Sequence, residues 1–314
     1  MHCFVLGSYM NANFIHLECL PCPGESLQAH GIFQEHGGKG LNLGIGLHRL
    51  GLNIRLLLGV GTDAAGKSVH EFLMAEGMDT DGVYYVGSNS GYGVGFIGAN
   101  GENCLAAYHG ANALITPEQA AQQLNNMSVL DWVCAQFETP DSVILYAFEI
   151  AKQRGATTYL NPSPWRLLPT QLLNLTDVLV VNANEAALMF MINDAATWDV
   201  PTWLAQLPSL QQRNTWPLQQ LIITLAEQGA ISLSAAGELH YQPAWAITQI
   251  DATGAGDAFG CGLIYAWSQQ LPTPQALQTA NACGARVAAS KGVLGALPNP
   301  AQLNEFMQCH APLH

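Results

Sequence analysis

The chain has 314 residues, 49% of them hydrophobic, enough to bury a sizeable core in one large domain or in one domain with a small appendage. Ten Lys and Arg against 23 Asp and Glu give a formal net charge of −13, which argues against nucleic acid as the main partner because phosphate backbones need a basic footprint. No stretch reaches the roughly 18 consecutive apolar residues of a membrane span. The start MHCFVLGSYMNANF lacks a basic n-region, and eight scattered Cys read as small buried hydrophobes of a cytoplasmic protein. From the N-terminus, a strand is predicted at 3–7, then an irregular stretch at 9–35 carrying Pro21, Pro23 and several Gly. A helix at 40–50, a strand at 54–60 and a helix at 65–76 follow. Residues 83–110 read as short strands and turns, with Asn100-Gly101 as a hairpin signal. Then come a helix at 117–124, strand 129–137, helix 142–154, strands 157–160 and 178–181, helix 185–191, strand 221–225, and helices 257–268 and 274–290. The alternation predicts an α/β fold, a doubly wound and mostly parallel sheet with helices on both faces. Residues 1–8, 36–82 and 111–314 are assigned to this core, and 9–35 and 83–110 to a small β lid over it.

Two glycine-rich segments carry the chemistry. Asp251-Ala252-Thr253-Gly254-Ala255-Gly256-Asp257 opens a helix that is apolar nearly all round and therefore buried. Free N–H groups at such a helix start, with the helix dipole, make an anion site, and glycine lets a phosphate come close. Asp257 reads either as an ordinary first-turn cap or as a general base that deprotonates an attacking hydroxyl beside that cradle. His36-Gly37-Gly38-Lys39-Gly40-Leu41-Asn42 also leads into an apolar-faced helix. It is a glycine-rich turn with Lys39 in solvent, or it sets Gly38 and Asn42 against substrate hydroxyls. Gly61-Thr62-Asp63-Ala64-Ala65-Gly66-Lys67-Ser68 fits the P-loop spelling, so a P-loop NTPase is a rival reading. Cys19-Leu20-Pro21-Cys22 is a lone C-x-x-C with no second pair, and the ten His contain no HExxH.

Together the segments resemble the paired signatures of the ribokinase-like (PfkB) carbohydrate kinases, and the likeness to ribokinases covers nearly the whole chain. The matching stretches run in order through Gly7-Ser8 with Asn11-Ala12-Asn13, Pro23-Gly24-Glu25, Gly37 to Gly40 with Asn42, Gly61-Thr62-Asp63 with Gly66, Gly101-Glu102-Asn103, Gly110 to Ala113, Glu138, Asn161-Pro162, Asn182 with Glu185, Thr224-Leu225 with Gly229, Asp251 to Asp257, and Lys291-Gly292. The resemblance implies Asp257 as catalytic base and the backbone of Gly254, Ala255 and Gly256 as anion hole. It implies sugar contacts from Asn13, Gly38, Lys39, Asn42, Glu138 and Asp257. It implies ATP contacts from Asn182, Thr224, Gly229, Gly254, Gly256 and Asn281. Mg²⁺ would be placed through water by Glu185 with Asn182, and a monovalent cation, K⁺, by Asp251 and Thr253. Taken alone, Asn182 and Glu185 read as a helix cap and a first-turn acid, and Asn281 as an ordinary polar helix residue.

Departures bear on the substrate. Asn13 stands where ribokinases carry Asp, which loses a charge-assisted hydrogen bond, and the local spacing is one residue longer. Ala252 and Ala226 replace a usual Thr and Gly. Residues 9–35 and 83–110 contain no Lys or Arg, and a buried phosphate without a cation is costly, so an unphosphorylated sugar is expected. A nucleoside kinase, with Tyr92, Phe96 and Tyr108 against a base, and a non-catalytic sugar-binding protein are the alternatives. Exposed lid edges would be covered in a homodimer.

Overall fold

The structure is a computed structural model that describes residues 1–99, 102–193, 198–214 and 216–313. In chain order its strands are β1 His2–Leu6, β2 Met10–Leu17, β3 Gly31–Gly37, β4 Asn53–Val60, β5 Val83–Tyr85, β6 Gly91–Gly98, β7 Asn103–Tyr108, β8 Trp132–Gln136, β9 Thr157–Asn161, β10 Val178–Asn182, β11 Gln220–Thr224, β12 Ala230–Ser234 and β13 Leu239–Gln242. The helices are α1 Lys39–Arg49, α2 Ala64–Ala75, α3 Pro117–Asn125, α4 Asp141–Gln153, α5 Thr170–Asn174, α6 Ala183–Phe190, α7 Val200–Asn214, α8 Ala255–Ser268, α9 Thr273–Ala288 and α10 Pro300–Cys309. The described strands form a nine-stranded sheet, β13-β12-β11-β10-β9-β8-β1-β4-β5, and a separate four-stranded sheet, β3-β2-β6-β7.

Every pair from β5 across to β11 is parallel; β12 runs the other way, and β13, antiparallel to β12, returns to the common direction. Parallel strands are buried on both faces, which is why they read as continuous apolar runs. β1 shows how the sheet divides two cores: Cys3 and Val5 join Leu43, Ile45 and the α8 and α9 residues, whereas Phe4 and Leu6 join Val143, Phe148 and Trp203 on the opposite face. Each fully buried Leu, Ile or Phe adds about 1.5–3 kcal/mol, so the two apolar layers fix the sheet's position. β1 lies between β8 and β4, and the strand order reverses there, leaving a crevice beyond the C-terminal ends of the strands. Ser8, Glu138 and Asn182 all sit at those ends.

The small sheet differs in detail from expectation. The stretch read as irregular contains two regular strands, β2 and β3, paired without a bulge from Met10–Gly37 to His16–Gly31. Their alternation is weak because neither face is wholly apolar or wholly polar. Val83–Tyr85, assigned to the lid, instead pairs with β4 at the edge of the large sheet. β6 and β7 do pair antiparallel, but Asn100 and Gly101 lie outside the described residues. The strand expected from 129 begins at Trp132, since Asp131 turns its carboxylate to the His2 N–H at 2.7 Å. Helices α5, α7 and α10 and strands β12 and β13 were not anticipated. α7 carries Pro208 in its interior, which masks its pattern. Of the cysteines, Cys3, Cys134, Cys261 and Cys283 are buried, but Cys19, Cys22, Cys104 and Cys309 are exposed. No helix of the described residues is long and apolar enough to cross a membrane.

α1 approaches β1 so closely that Gly40 has no room for a side chain: a Cβ there would lie 2.6 Å from the Ser8 nitrogen and overlap Gly7. Backbone cannot yield as a side chain does. Gly40→Ala is therefore expected to lower unfolding free energy by about 2–3 kcal/mol, read as a shift in denaturant midpoint at unchanged slope.

Candidate active site

Asp257 lies in the first turn of α8 and is only 6% exposed. The N-cap, Gly254, adopts φ 74°, a left-handed conformation that suits glycine, and no side chain caps the helix. First-turn N–H groups have no partner within a helix, so this start faces the crevice with its donors and the positive end of its dipole. The Ala255 N–H is the exception, since it turns back to the Ala252 carbonyl at 3.2 Å. Asn42 of α1 donates its Nδ2 to Asp257 Oδ2 at 2.8 Å, while its own Oδ1 is buried and unpartnered among the described residues. An orphaned acceptor beside a buried acid marks a place for a ligand's hydroxyl. Lys39 Nζ stands 4.0 Å from Asp257 Oδ1.

Burial pushes the Asp257 carboxyl above its ordinary range, the Lys39 charge and the Asn42 hydrogen bond pull it back, and Glu138 adds to the rise. The Asp257 charge in turn pushes the Lys39 ammonium up against its desolvation, with Glu138 and Glu185 helping. Glu138, just beyond β8, accepts from the Lys39 backbone N–H at 2.8 Å and from Ser8 Oγ at 2.5 Å. The same Ser8 oxygen accepts from the Gly40 N–H at 3.1 Å. Ser8 and Glu138 thus fasten the start of α1, which carries Lys39 and Asn42 on its first turn. Gly38 belongs to the same knot: its carbonyl accepts from the Asn42 N–H at 2.9 Å.

Asn182 and Glu185 form a reciprocal cap at α6, with Asn182 N–H donating to Glu185 Oε2 at 2.9 Å and Glu185 N–H to Asn182 Oδ1 at 2.8 Å. The capping reading of this pair is therefore correct, and Glu185, 5% exposed, also acts electrostatically on Lys39. Thr224 ends β11, and Gly229 passes so close to the chain at 242–244 that a Cβ would sit 2.8 Å from Ala244 N. Asn281 donates to the carbonyls of Gln242 and Pro243 at 3.1 and 3.2 Å, so its amide group ties α9 to that same stretch. Ala226, between Thr224 and Gly229, has φ 49°. A Cβ in the left-handed region costs about 1–2 kcal/mol, which accounts for the glycine usual there. Asp251 accepts from the Thr253 N–H at 2.9 Å and is only partly exposed.

A buried acid at an uncapped helix start, facing a lysine and closed over by a small sheet, matches one family across the chain. The family model of the pfkB carbohydrate kinases aligns with residues 2–300. The chain belongs to that family. It is 31% identical over 260 residues to a ribokinase of Staphylococcus aureus (strain COL), covering 81% of this chain and 82% of the relative. It is 28% identical to a deoxyribokinase of Salmonella typhi over 306 residues, 96% and 97% of the two chains. The structure of Arabidopsis thaliana ribokinase complexed with ribose and ATP superposes with a TM-score of 0.85 at 22% identity, covering 97% of each chain. The chain is thus a sugar kinase of the ribokinase-like fold.

Within this pfkB kinase, the four-stranded sheet sorts its side chains by parity. Glu35 and Phe33 on β3 reach residues 291–293, next to the α8 start. Paired residues share a face, so Ala12, Phe14, Gly93, Gly95, Leu105 and Ala107 look the same way. Asn13 does not: it pairs with Gln34, shares its face with His36, and donates Nδ2 to its own chain at Asn11 O, 3.0 Å. Its side chain, 8% exposed, lies on the face of the sheet opposite Glu35 and Phe33. Tyr92, Phe96 and Tyr108 share the face of Asn13, opposite Glu35 and Phe33.

The P-loop spelling also fails in the pfkB kinase. The Asp63 carboxylate occupies the helix start of α2, accepting from Gly66 N–H at 2.8 Å, Ser90 N–H at 2.7 Å and Ser90 Oγ at 2.6 Å. A cradle filled by the protein's own acid has no room for phosphate. Cys19 and Cys22 are free and exposed, and the described residues hold no metal-binding group of His, Cys, Asp and Glu. Three residues with no assigned role prove structural to the site: Ser8, Glu35, and Asn112, whose amide clamps Tyr9 N–H and Tyr9 O at 2.8 and 2.7 Å. Only their strand-end or motif positions could have singled them out.

The coupling of Lys39 to Asp257 has a signed consequence. Activity that needs the ionised acid falls as pH drops through its pKa. Removing the lysine charge takes away a lowering influence, so Lys39→Met should move the acidic limb of the kcat/KM–pH profile to higher pH, with the direction read by steady-state assays across pH.

Proposed function

We propose that this kinase transfers the γ-phosphoryl group of ATP to a hydroxyl of an unphosphorylated, pentose-sized sugar, with Asp257 as general base. The observation that carries this is the buried Asp257 carboxylate beside Asn42 at the uncapped start of α8. The sugar hydroxyl would donate to Asp257, and the unpartnered Asn42 Oδ1 would accept from a neighbouring hydroxyl. Charge developing on the phosphoryl oxygens would meet the first-turn amides of Gly254 and Gly256, with Lys39 beside them. Glu138 would position the sugar indirectly, by holding the turn at Gly38 and Lys39. Thr224, Gly229 and Asn281 would form one wall for the nucleotide, with Asn281 acting through residues 242–243.

Glu185 keeps one carboxylate oxygen outside its cap, which suits water-mediated placement of Mg²⁺ together with Asn182. The ion, when bound, neutralises phosphate charge. Asp251 and the turn to Thr253 suit a monovalent cation, K⁺ in this reading. The cation on the first turn of α1, Lys39, is already committed to Asp257, and residues 9–35 and 83–110 supply none, so an unphosphorylated sugar fits better than a sugar phosphate, for which Lys291 over the Phe33 ring would be the cation at the lid. The chain would act as a cytoplasmic homodimer through the lid, whose outer face exposes Ile32, Tyr92 and Tyr108.

A second reading, a nucleoside as acceptor, has its own support. With Asn13 on the opposite face, the inward lid face offers Phe14 and Phe33, stacked at 6.2 Å, and at Gly93 a Cβ would touch only the Ala12 backbone, at 4.0 Å. Those surfaces suit a planar apolar group better than a further hydroxyl.

A coupled ADP-release screen over pentoses, deoxysugars, sugar phosphates and nucleosides separates the two. Ribose or deoxyribose is expected to be turned over and ribose 5-phosphate refused; preference for the phosphate would overturn the reading. Asp257→Asn is expected to lower kcat by about 10³-fold with the fold retained by circular dichroism. Lys67→Ala should leave kcat within about twofold of the unmodified enzyme, because Lys67 is exposed on α2 and surface changes of this kind have small effects.

A further inference from the structure

We infer that Glu35 is a positioning residue: carried on lid strand β3, it latches the closed lid to Val293 and through Val293 holds Gly254 at the start of α8. The inference rests on the kinase reading above. Glu35 accepts the Val293 N–H with both carboxylate oxygens, at 3.0 Å to Oε2 and 3.3 Å to Oε1. The chain just before Val293 runs tight beneath the lid. A Cβ on Gly292 would lie 2.9 Å from the Phe33 ring and 3.0 Å from Glu35 Oε2. Val293 is 2% exposed, and its side chain covers Gly254 so closely that a Cβ there would sit 2.7 Å from Val293 Cγ2. Lid carboxylate, loop amide, valine side chain and phosphate-cradle glycine therefore form one contact chain.

The charged groups facing Glu35 are Asp251, on the segment leading to α8, and Lys291, whose ammonium lies over the Phe33 ring at 5.2 Å. Burial and the Asp251 charge push the Glu35 carboxyl up, and the hydrogen bonds from the backbone at Val293 and Leu294 oppose them. The Val293 amide offsets part of the cost of burying Glu35, which makes that amide the partner of the carboxylate when the lid is closed. When the lid lifts, the carboxylate passes to water, Val293 loses its restraint, and the cradle loosens. Transfer competence is thereby tied to closure, when water is excluded and only the sugar hydroxyl is poised to attack.

The test uses the full chain with Glu35→Ala and Glu35→Gln, the second of which keeps an acceptor oxygen. Sugar-dependent ADP release and sugar-independent ATP hydrolysis are measured side by side. Loss of one charge-assisted bond corresponds to about tenfold. Glu35→Ala is expected to lower kcat about tenfold and to raise the ratio of hydrolysis to sugar phosphorylation about tenfold, with Glu35→Gln recovering most of both. Glu35→Ala with an unchanged ratio overturns the latch, whatever its kcat. Hydrogen exchange at the Val293 amide reads the contact without turnover: faster exchange in Glu35→Ala is expected, and equal exchange overturns it. Absence of sugar-dependent ADP release in the unmodified chain would instead defeat the kinase reading and leave the exchange result to decide the latch. If Glu35→Ala does not fold, Glu35→Gln and Glu35→Asp carry the same comparison.

Discussion

The site is organised by the cost of burying one carboxylate. Asp257 lies almost wholly out of water at the start of α8, and an isolated charge there would be expelled or neutralised. Its neighbours answer that cost specifically. Asn42 donates to one oxygen and Lys39 faces the other. Both come from the first turn of α1, and α1 is held in place by Ser8 and Glu138. The tight seat of Gly40 against Gly7 and Ser8 follows from the same need, since a looser helix would move the lysine away from the acid.

The crevice sits where it does because the strand order reverses at β1. Ser8 and Glu138, just beyond β1 and β8, meet the start of α1 there; α8 packs on α1 over the same face of the sheet, and α6 lies on the opposite face. The two apolar layers carry the stability and leave the strand ends free for polar work. The lid adds a third surface. Its inward face joins apolar Phe14 and Phe33 with one acid, Glu35, and that acid is bound to the loop beside the cradle.

Much was legible before any coordinates. The parallel core read as apolar runs because its strands are covered on both faces, and the α1 and α8 starts read as glycine-rich turns before apolar helices. Asp257, Lys39, Asn42 and Glu138, scattered from residue 39 to residue 257, do converge. The face that Asn13 occupies was not legible, because a strand's alternation has period two and one inserted residue exchanges the two faces without altering residue type. Asn281 and Asn182 look like ligands by spacing, yet their nearest obligations are to backbone groups, which spacing does not reveal. Helix α7 was hidden by Pro208.

Local sequence by itself determined the parallel core strands, the helices between them and the anion-receptive helix start carrying Asp257, because glycine conformation, helix dipole and apolar periodicity are properties of short segments. Tertiary structure alone decided which charges meet, which side chains of the lid look inward, and that the Asp63 carboxylate fills the cradle of the P-loop spelling. Those outcomes depend on pairing register and on contacts between residues up to 258 positions apart, as with Glu35 and Val293. No local pattern encodes such a distance.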